Sequence, residues 1–434
     1  MRILLLPLLL LVFVRGMASA QSAPEQRLLL VGGQVQTSAD SAPRKADVLI
    51  VGERIEAVGE GLKAEGATLW DATGLVISPA FVDAANLGLL DDSAFRGGAG
   101  DMAADMFEGH DSLPRERLAR AGIGLVYVDI ALQDASRGLV GCVASTDPKG
   151  ANVTVLERLA GLSFAIGTRA QGIAGRMGRS GEVAAVGEAL SAARRYRTSF
   201  EKHTKDVEKH AKDMKEAEAK QAKQAKADKP DKPEKTDKKS LPPQKPRIEE
   251  LHETVLRTLD HKAPLRIEAH WREDIEAALE LATKQGLRLV LLGGGEADEV
   301  ADKLATAKAV VVLGPAQPLW VSPLLAPRRR NDLAAKLDAA GVRIAFMSAG
   351  ARGYRSDSAP LIAALHVAEG LSEAAALRAL TLGAAEAIGL GGRCGSVEPG
   401  RLALLQLRTS KLSLDGAGPQ KMVFGTSVID GKKS

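Results

Sequence analysis

The sequence predicts an α/β protein: a (β/α)8 TIM-like barrel with a small β-sandwich formed by both chain termini. Three observations carry that expectation. Apolar strand-like runs alternate with amphipathic helical stretches through the middle of the chain, the pattern of βαβ units on a parallel sheet. Residues 77–390, less a charged insert at 201–247, number 267, close to the ~250 typical of such a barrel. Short strands broken by glycine turns stand at both ends.

The chain starts with the basic Met1-Arg2, a 12-residue apolar run Ile3–Val14, then Arg15-Gly16-Met17-Ala18-Ser19-Ala20. A basic start, a short apolar run and small residues at Ala18 and Ala20 read as a secretory signal peptide, 1–20, cleaved before Gln21. No later stretch approaches the roughly 18 apolar residues of a spanning helix, so the mature chain is expected without a transmembrane segment. The expected address is secreted, periplasmic in a Gram-negative host.

Residues 21–76 read as the first part of the β module. Strands are expected at Arg27–Val31, Gln34–Thr37, Asp47–Val51, Arg54–Val58 and Thr68–Asp71, with turns at Gly32-Gly33, Gly52-Glu53 and Gly59. Barrel strands follow at Ile123–Asp129, Leu265–Ala269, Leu287–Leu292, Ala309–Leu313 and Val342–Met347. Helical segments such as Asp274–Gln285 and Ala297–Ala307 lie between them. A doubly wound open sheet is the weaker alternative. Gly293-Gly294-Gly295 follows a strand but lacks the later glycine and Lys-Ser/Thr of a phosphate loop. Helices are expected at Ala359–Ala368 and Ser372–Leu382. Residues 391–434 return as strands at Leu402–Leu407 and Lys421–Val428 to complete the sandwich.

The net charge of +4 is unevenly placed. The leader contributes +2, and the insert, with 15 Lys/Arg and 10 Asp/Glu, contributes +5. The remaining folded body is therefore −3, which gives no support to a nucleic-acid face. With only 14 aromatic residues in all, base-stacking platforms are not expected either. Within the insert, Phe200–Asp228 favours a solvated helix and Lys229–Pro246 an extended loop, with His203 and His210 expected in solvent. Two cysteines, Cys142 and Cys394, exclude a disulfide scaffold; whether they pair is open, and two buried thiols are favoured.

Certain runs resemble the amidohydrolase superfamily, in particular secreted, imidazolonepropionase-like members. Ala46–Gly59 resembles the opening β module of that family, and Asp71-Ala72-Thr73-Gly74-Leu75-Val76-Ile77-Ser78-Pro79-Ala80-Phe81-Val82-Asp83-Ala84 its lead into barrel strand 1. Gly370-Leu371-Ser372 to Thr381, Ala384 to Gly389 and Gly395-Ser396-Val397-Glu398-Pro399-Gly400 resemble its last helices and return to the sandwich. The resemblance implies hydrolysis of C–N bonds in amide-like substrates with one or two Zn²⁺ or similar ions. A bound metal polarises the carbonyl and lowers the pKa of its water to about 7.

The ligands that the resemblance implies are largely replaced. Where the family has His-x-His after strand 1, this chain has Ala85-Asn86-Leu87. Gly293 stands at the strand-6 His position, and Ala349 at the Asp that binds metal and takes a proton in the last strand. At Ile267-Glu268-Ala269-His270, only His270 remains of a second His-x-His. Of the other histidines outside the insert and the polar stretch after it, His110 falls in a polar loop and His366 in a helix. Ser348 and Cys142 are candidate nucleophiles near the mouth, without a G-x-S-x-G elbow. The pocket candidates are thus Asp83, Glu268 and His270.

Two readings follow. The favoured one is a pseudoenzyme, a binding or assembly subunit without a metal cofactor. Its partner would be a homologous active amidohydrolase or a second copy, and a small amide-like ligand could still enter the mouth. The alternative is a metal-dependent hydrolase of C–N bonds, holding Zn or another divalent ion in a rearranged site around His270, Glu268 and Asp83.

Overall fold

The structure is a computed structural model and describes residues 25–38, 41–90, 101–107, 111–128, 140–167, 178–224, 241–315, 330, 332–350 and 356–431. The leader and His110 lie outside them.

The N-terminal strands follow the expected order: β1 Arg27–Val31, β2 Gln34–Val35, β3 Arg44–Lys45, β4 Asp47–Val51, β5 Arg54–Gly59, β6 Thr68–Asp71 and β7 Val76–Pro79. At the other end come β16 Leu404–Arg408, β17 Lys421–Phe424 and β18 Ser427–Asp430. The single strand expected at Lys421–Val428 is a hairpin, because Gly425 turns the chain at φ 58°. One sheet orders β5-β4-β1-β6. The other orders β18-β17-β16-β7-β2-β3, so strands from both termini share it. Leu28, Leu30, Val48, Ile50, Ile77, Leu405 and Val423 fill the core between the sheets. Burying such side chains stabilises by roughly 2 kcal/mol each.

Eight strands form the barrel: β8 Phe81–Asp83, β9 Ile123–Val128, β10 Val140–Ser145, β11 Val155–Ala165, β12 Leu265–Ala269, β13 Leu289–Gly293, β14 Val310–Leu313 and β15 Arg343–Phe346, in that spatial order. Their side chains alternate between two apolar layers. Leu125, Tyr127, Val143, Val290, Leu292, Val310, Val312 and Ala345 fill the interior. Val126, Leu265, Ile267, Leu291, Val311, Ile344 and Phe346 pack outward against helices. The outer helices are α1 Leu113–Arg120, α2 Arg179–Gln224, α3 Glu250–Leu259, α4 Arg272–Gln285, α5 Ala301–Thr306, α6 Leu333–Ala339, α7 Ala359–Ala368, α8 Glu373–Leu380 and α9 Leu382–Ala387. Capping fixes two of their ends: Gly286 closes α4 in the left-handed conformation, and Ser372 accepts from the Ala375 amide to start α8.

One strand departs from the alternating βα pattern. β10 runs antiparallel to both β9 and β11, while the other neighbours are parallel. The connection after β10, residues 146–154, is too short for a helical crossover of a dozen residues, so only a hairpin fits. Buried Arg115 braces it, its Nη1 donating to the carbonyls of Asp147 and Gly150 at 2.8 and 2.9 Å.

The barrel closes between β8 and β15 through main-chain bonds. Ala84 N donates to Phe346 O, Ala349 N to Ala85 O, and Leu87 N to Gly350 O. The fully buried Asp83 fastens the same seam. Its Oδ1 accepts from Ser348 N at 3.0 Å and Ala85 N at 3.2 Å, and its Oδ2 accepts from Asn86 Nδ2 at 2.8 Å. Across the interior lies Arg266, 0% exposed. Its guanidinium stacks 3.8 Å from the Tyr127 ring centroid and donates to Ala84 O, Ser163 Oγ and Ala387 O. One side chain thus ties β12 to β8, β9, β11 and α9.

The long helix begins at Arg179 rather than Phe200. Its first half buries Val186, Leu190 and Ala193 against the barrel, and the remainder runs out over a total length of about 70 Å. His203 and His210, expected in solvent, are half-buried. They fall seven and fourteen residues after Tyr196, on the helix face where Tyr196 stacks on His252 of α3.

Two outcomes are expected. Arg266→Met deletes every polar tie of this side chain and should cost about 3 kcal/mol in urea unfolding. Burial pushes the Asp83 carboxyl up to about 6, against the lowering effect of its Ser348, Asn86 and Ala85 donors. The folded state therefore takes up a proton before the unfolded state does, and this contribution is lost as pH rises through 6. Wild-type stability measured relative to Asp83→Asn should fall by about 1 kcal/mol between pH 5 and pH 7.

Candidate functional site

In an α/β barrel, chemistry belongs at the C-terminal ends of the strands. β12 delivers three inward polar side chains there in strict alternation, Arg266, Glu268 and His270. They are buried at 0%, 5% and 9% exposure, with the apolar Leu265, Ile267 and Ala269 turned outward. His270 Nε2 lies 3.3 Å from Glu268 Oε1. These two of the three pocket candidates therefore meet at the mouth. Asp83 makes its bonds elsewhere, in the seam.

The neighbouring strand end explains how His270 sits. Gly293 closes β13 at φ 88°. A Cβ placed there would come within 2.2 Å of His270 Cε1 and 2.6 Å of Nδ1. The imidazole thus abuts the bare glycine and occupies the space any side chain at 293 would need. A histidine at 293 and His270 in this pose exclude one another.

The remaining positions are small or apolar. Ala85 and Leu87 follow β8, both buried, and Ala349 follows β15 with φ 47°. Between them Asn86 Nδ2 reaches Ser348 Oγ at 2.9 Å and Ser356 O at 2.6 Å, while its Oδ1 accepts from Gly88 N. Ser348 is thereby a buried tie between the first and last strands rather than an exposed nucleophile. Cys142 and Cys394 are both buried and form no disulfide, and burial pushes the Cys394 thiol up to about 12. His366 is half-buried with its ring 5.5 Å from that of Phe346, on the outer side of β15. Among the described residues, no three His, Cys, Asp or Glu side chains converge as a set of metal ligands. A cleft of about 380 Å³ lined by Arg343, Arg378, Asp338 and Glu386 lies at the other, N-terminal end of β15, away from this chemistry.

Sequence reasoning passed over Arg266 and Tyr127. The available signal was the polar-apolar alternation Arg266-Ile267-Glu268-Ala269-His270 within a strand buried on both faces, where a continuous apolar run is the norm.

No protein-family model matches the sequence, and no curated protein matches it. Solved structures do match. An amidohydrolase from Thermotoga maritima is 23% identical over 93% of this chain and 99% of its own, with a TM-score of 0.69. A prolidase complexed with N-methylphosphonate-L-proline is 15% identical over 93% of this chain and 100% of its own, at 0.55. Molinate hydrolase is 16% identical over 94% and 96%, at 0.54. The barrel with its composite β domain is, in this chain, the fold of the amidohydrolases.

Proposed function

We propose that this chain is a catalytically inactive or impaired amidohydrolase-fold protein that serves as a binding or assembly subunit. The observation that supports this reading most directly is the pose of His270, whose ring fills the space beside Gly293, with Ala85, Leu87 and Ala349 at the other positions where the resemblance implies ligands. A catalytic zinc takes three protein ligands and keeps one place open for water. One imidazole with Glu268 beside it does not fit that requirement. In a barrel of this kind the C-terminal mouth is the default place for a small ligand, and an amide-like molecule held there without turnover is part of the proposal. Its partner would be a homologous, active amidohydrolase or a second copy of this chain. Secretion is part of the proposal, on the strength of residues 1–20; among the described residues no helix is long and apolar enough to cross a membrane.

A second reading, a metal-dependent hydrolase of C–N bonds, draws on the contact between His270 and Glu268 and on the hydrolases named among its structural neighbours. Metal content separates the two. Mature protein purified without chelator should carry no stoichiometric Zn, Mn or Fe by elemental analysis. Stoichiometric metal that disappears in His270→Ala would replace the first reading with the second.

The pose of His270 has its own check. Gly293→Ala combines an unfavourable φ with overlap on the ring. It should cost about 2 kcal/mol or more and shift the His270 ring resonances in NMR. In a His270→Ala background the overlap is gone, so the added cost should fall to the φ strain alone, about 1 kcal/mol.

A further inference from the structure

The cleft at the N-terminal end of β15 has a floor and a rim of different chemistry, and every residue that lines it is described. It is bounded by the end of α6, the start of β15, and helices α8 and α9. At about 380 Å³ it falls within the roughly 300–1,000 Å³ of small-ligand sites. The floor is apolar: Val342, Ile344, Ala375 and Ala379 belong to the outer layer of the barrel core. Gly383 lets α9 close one side, since a Cβ there would lie 2.7 Å from Ile344 O.

The rim carries guanidiniums that are loosely held. Arg343 Nη1 donates to Glu386 Oε2 at 3.3 Å. Arg378 Nη2 lies 3.6 Å from Asp338 Oδ1, beyond a hydrogen bond, and its guanidinium has no other partner among the described residues. The Arg343 and Arg378 side chains are 42% and 50% exposed. Exposed pairs of this length contribute little, whereas a guanidinium binds a carboxylate well through two parallel N–H donors. Arg288, directly before β13, adds a further cation. Burial first, and then Arg343, hold it below its usual range, with Glu386 acting the other way. Glu386 thus serves two guanidiniums, and Arg378 is left with a distant acid.

Floor and rim select a ligand together. A bare anion gains nothing from the floor, and a plain hydrocarbon leaves the guanidiniums as they are. An organic acid uses both. We propose that this cleft binds a monocarboxylate with a short apolar body, its carboxylate taken by Arg378 and Arg343 and its body laid on Val342, Ile344 and Ala379. The cleft lies at the opposite end of the barrel from His270, and the proposal does not rest on the reading of the mouth.

The test uses the full chain and isocaproate, with calorimetry and methyl NMR as readouts. Isocaproate should bind with a dissociation constant of about 1 mM or tighter, and should shift the methyl resonances of Ala375, Ala379, Val342 and Ile344. Arg343→Gln with Arg378→Gln should weaken it about tenfold or more, while His270→Ala should leave it unchanged. Inorganic phosphate, and the alcohol and amine of the same carbon skeleton, should each bind about tenfold more weakly or worse. The methyl shifts need no variant, so they decide the matter even where the double variant does not fold. Absence of these shifts, or shifts confined to the Ala85 and Ala349 methyls of the mouth, would overturn the proposal. So would phosphate, alcohol or amine binding as tightly as the acid, since the site would then read charge alone, apolar surface alone or the opposite charge.

Discussion

A guanidinium fully enclosed by a barrel is the constraint around which the rest of this molecule is arranged. Arg266 has no route to solvent, so every bond that offsets its desolvation must come from the protein. The Tyr127 face, the Ser163 hydroxyl and the carbonyls of Ala84 and Ala387 supply them. Those groups belong to β9, β11, β8 and α9, so satisfying one side chain fixes four elements relative to β12. Ala84 O is the telling member. It places β8, the first strand, under the control of the centre, and β8 is half of the seam that closes the barrel. The other half is held by Asp83, which gathers donors from both sides of the junction.

This arrangement bears on the mouth because the same strand that carries Arg266 also carries Glu268 and His270. Once β12 is fixed, His270 must emerge beside β13, and only a glycine at 293 gives its ring a place. His270 and Gly293 are thus packed as a fitted pair. Ala349 is a second constrained position. It keeps a left-handed backbone that alanine tolerates poorly, costing about 1 kcal/mol, and its amide is spent on Ala85 O in the seam. An asparagine or aspartate would hold that conformation with less strain.

Much of this fold was legible in the sequence because it rests on patterns of period 2 and 3.6. The strands Arg27–Val31, Asp47–Val51 and Leu265–Ala269 stand where alternation and apolar runs put them. The reversed strand β10 was not legible, since Val140–Ser145 is buried on both faces and carries no signal of direction. Only the short connection braced by Arg115 decides it. The start of α2 was missed because its barrel-facing half reads as amphipathic and its outer half as merely charged, with no Pro or Gly at the join. At the site, the packing of His270 on Gly293 was not legible, since it joins the ends of two strands. Nor was the role of Asp83, because a carboxylate after a barrel strand looks the same whether it faces a ligand or fastens a seam.

The strand ends that most need holding are those of β8 and β15, which meet across the seam. Asp83, Asn86 and Ser348 form a hydrogen-bonded knot at that same place, with Ser348 Oγ also accepting from Gly350 N. Deeper in, Arg266 draws the opposite wall toward β8. Closure is therefore secured by hydrogen bonds internal to the chain, the knot at Asp83, Asn86 and Ser348 and the tie from Arg266 acting on the same end of β8.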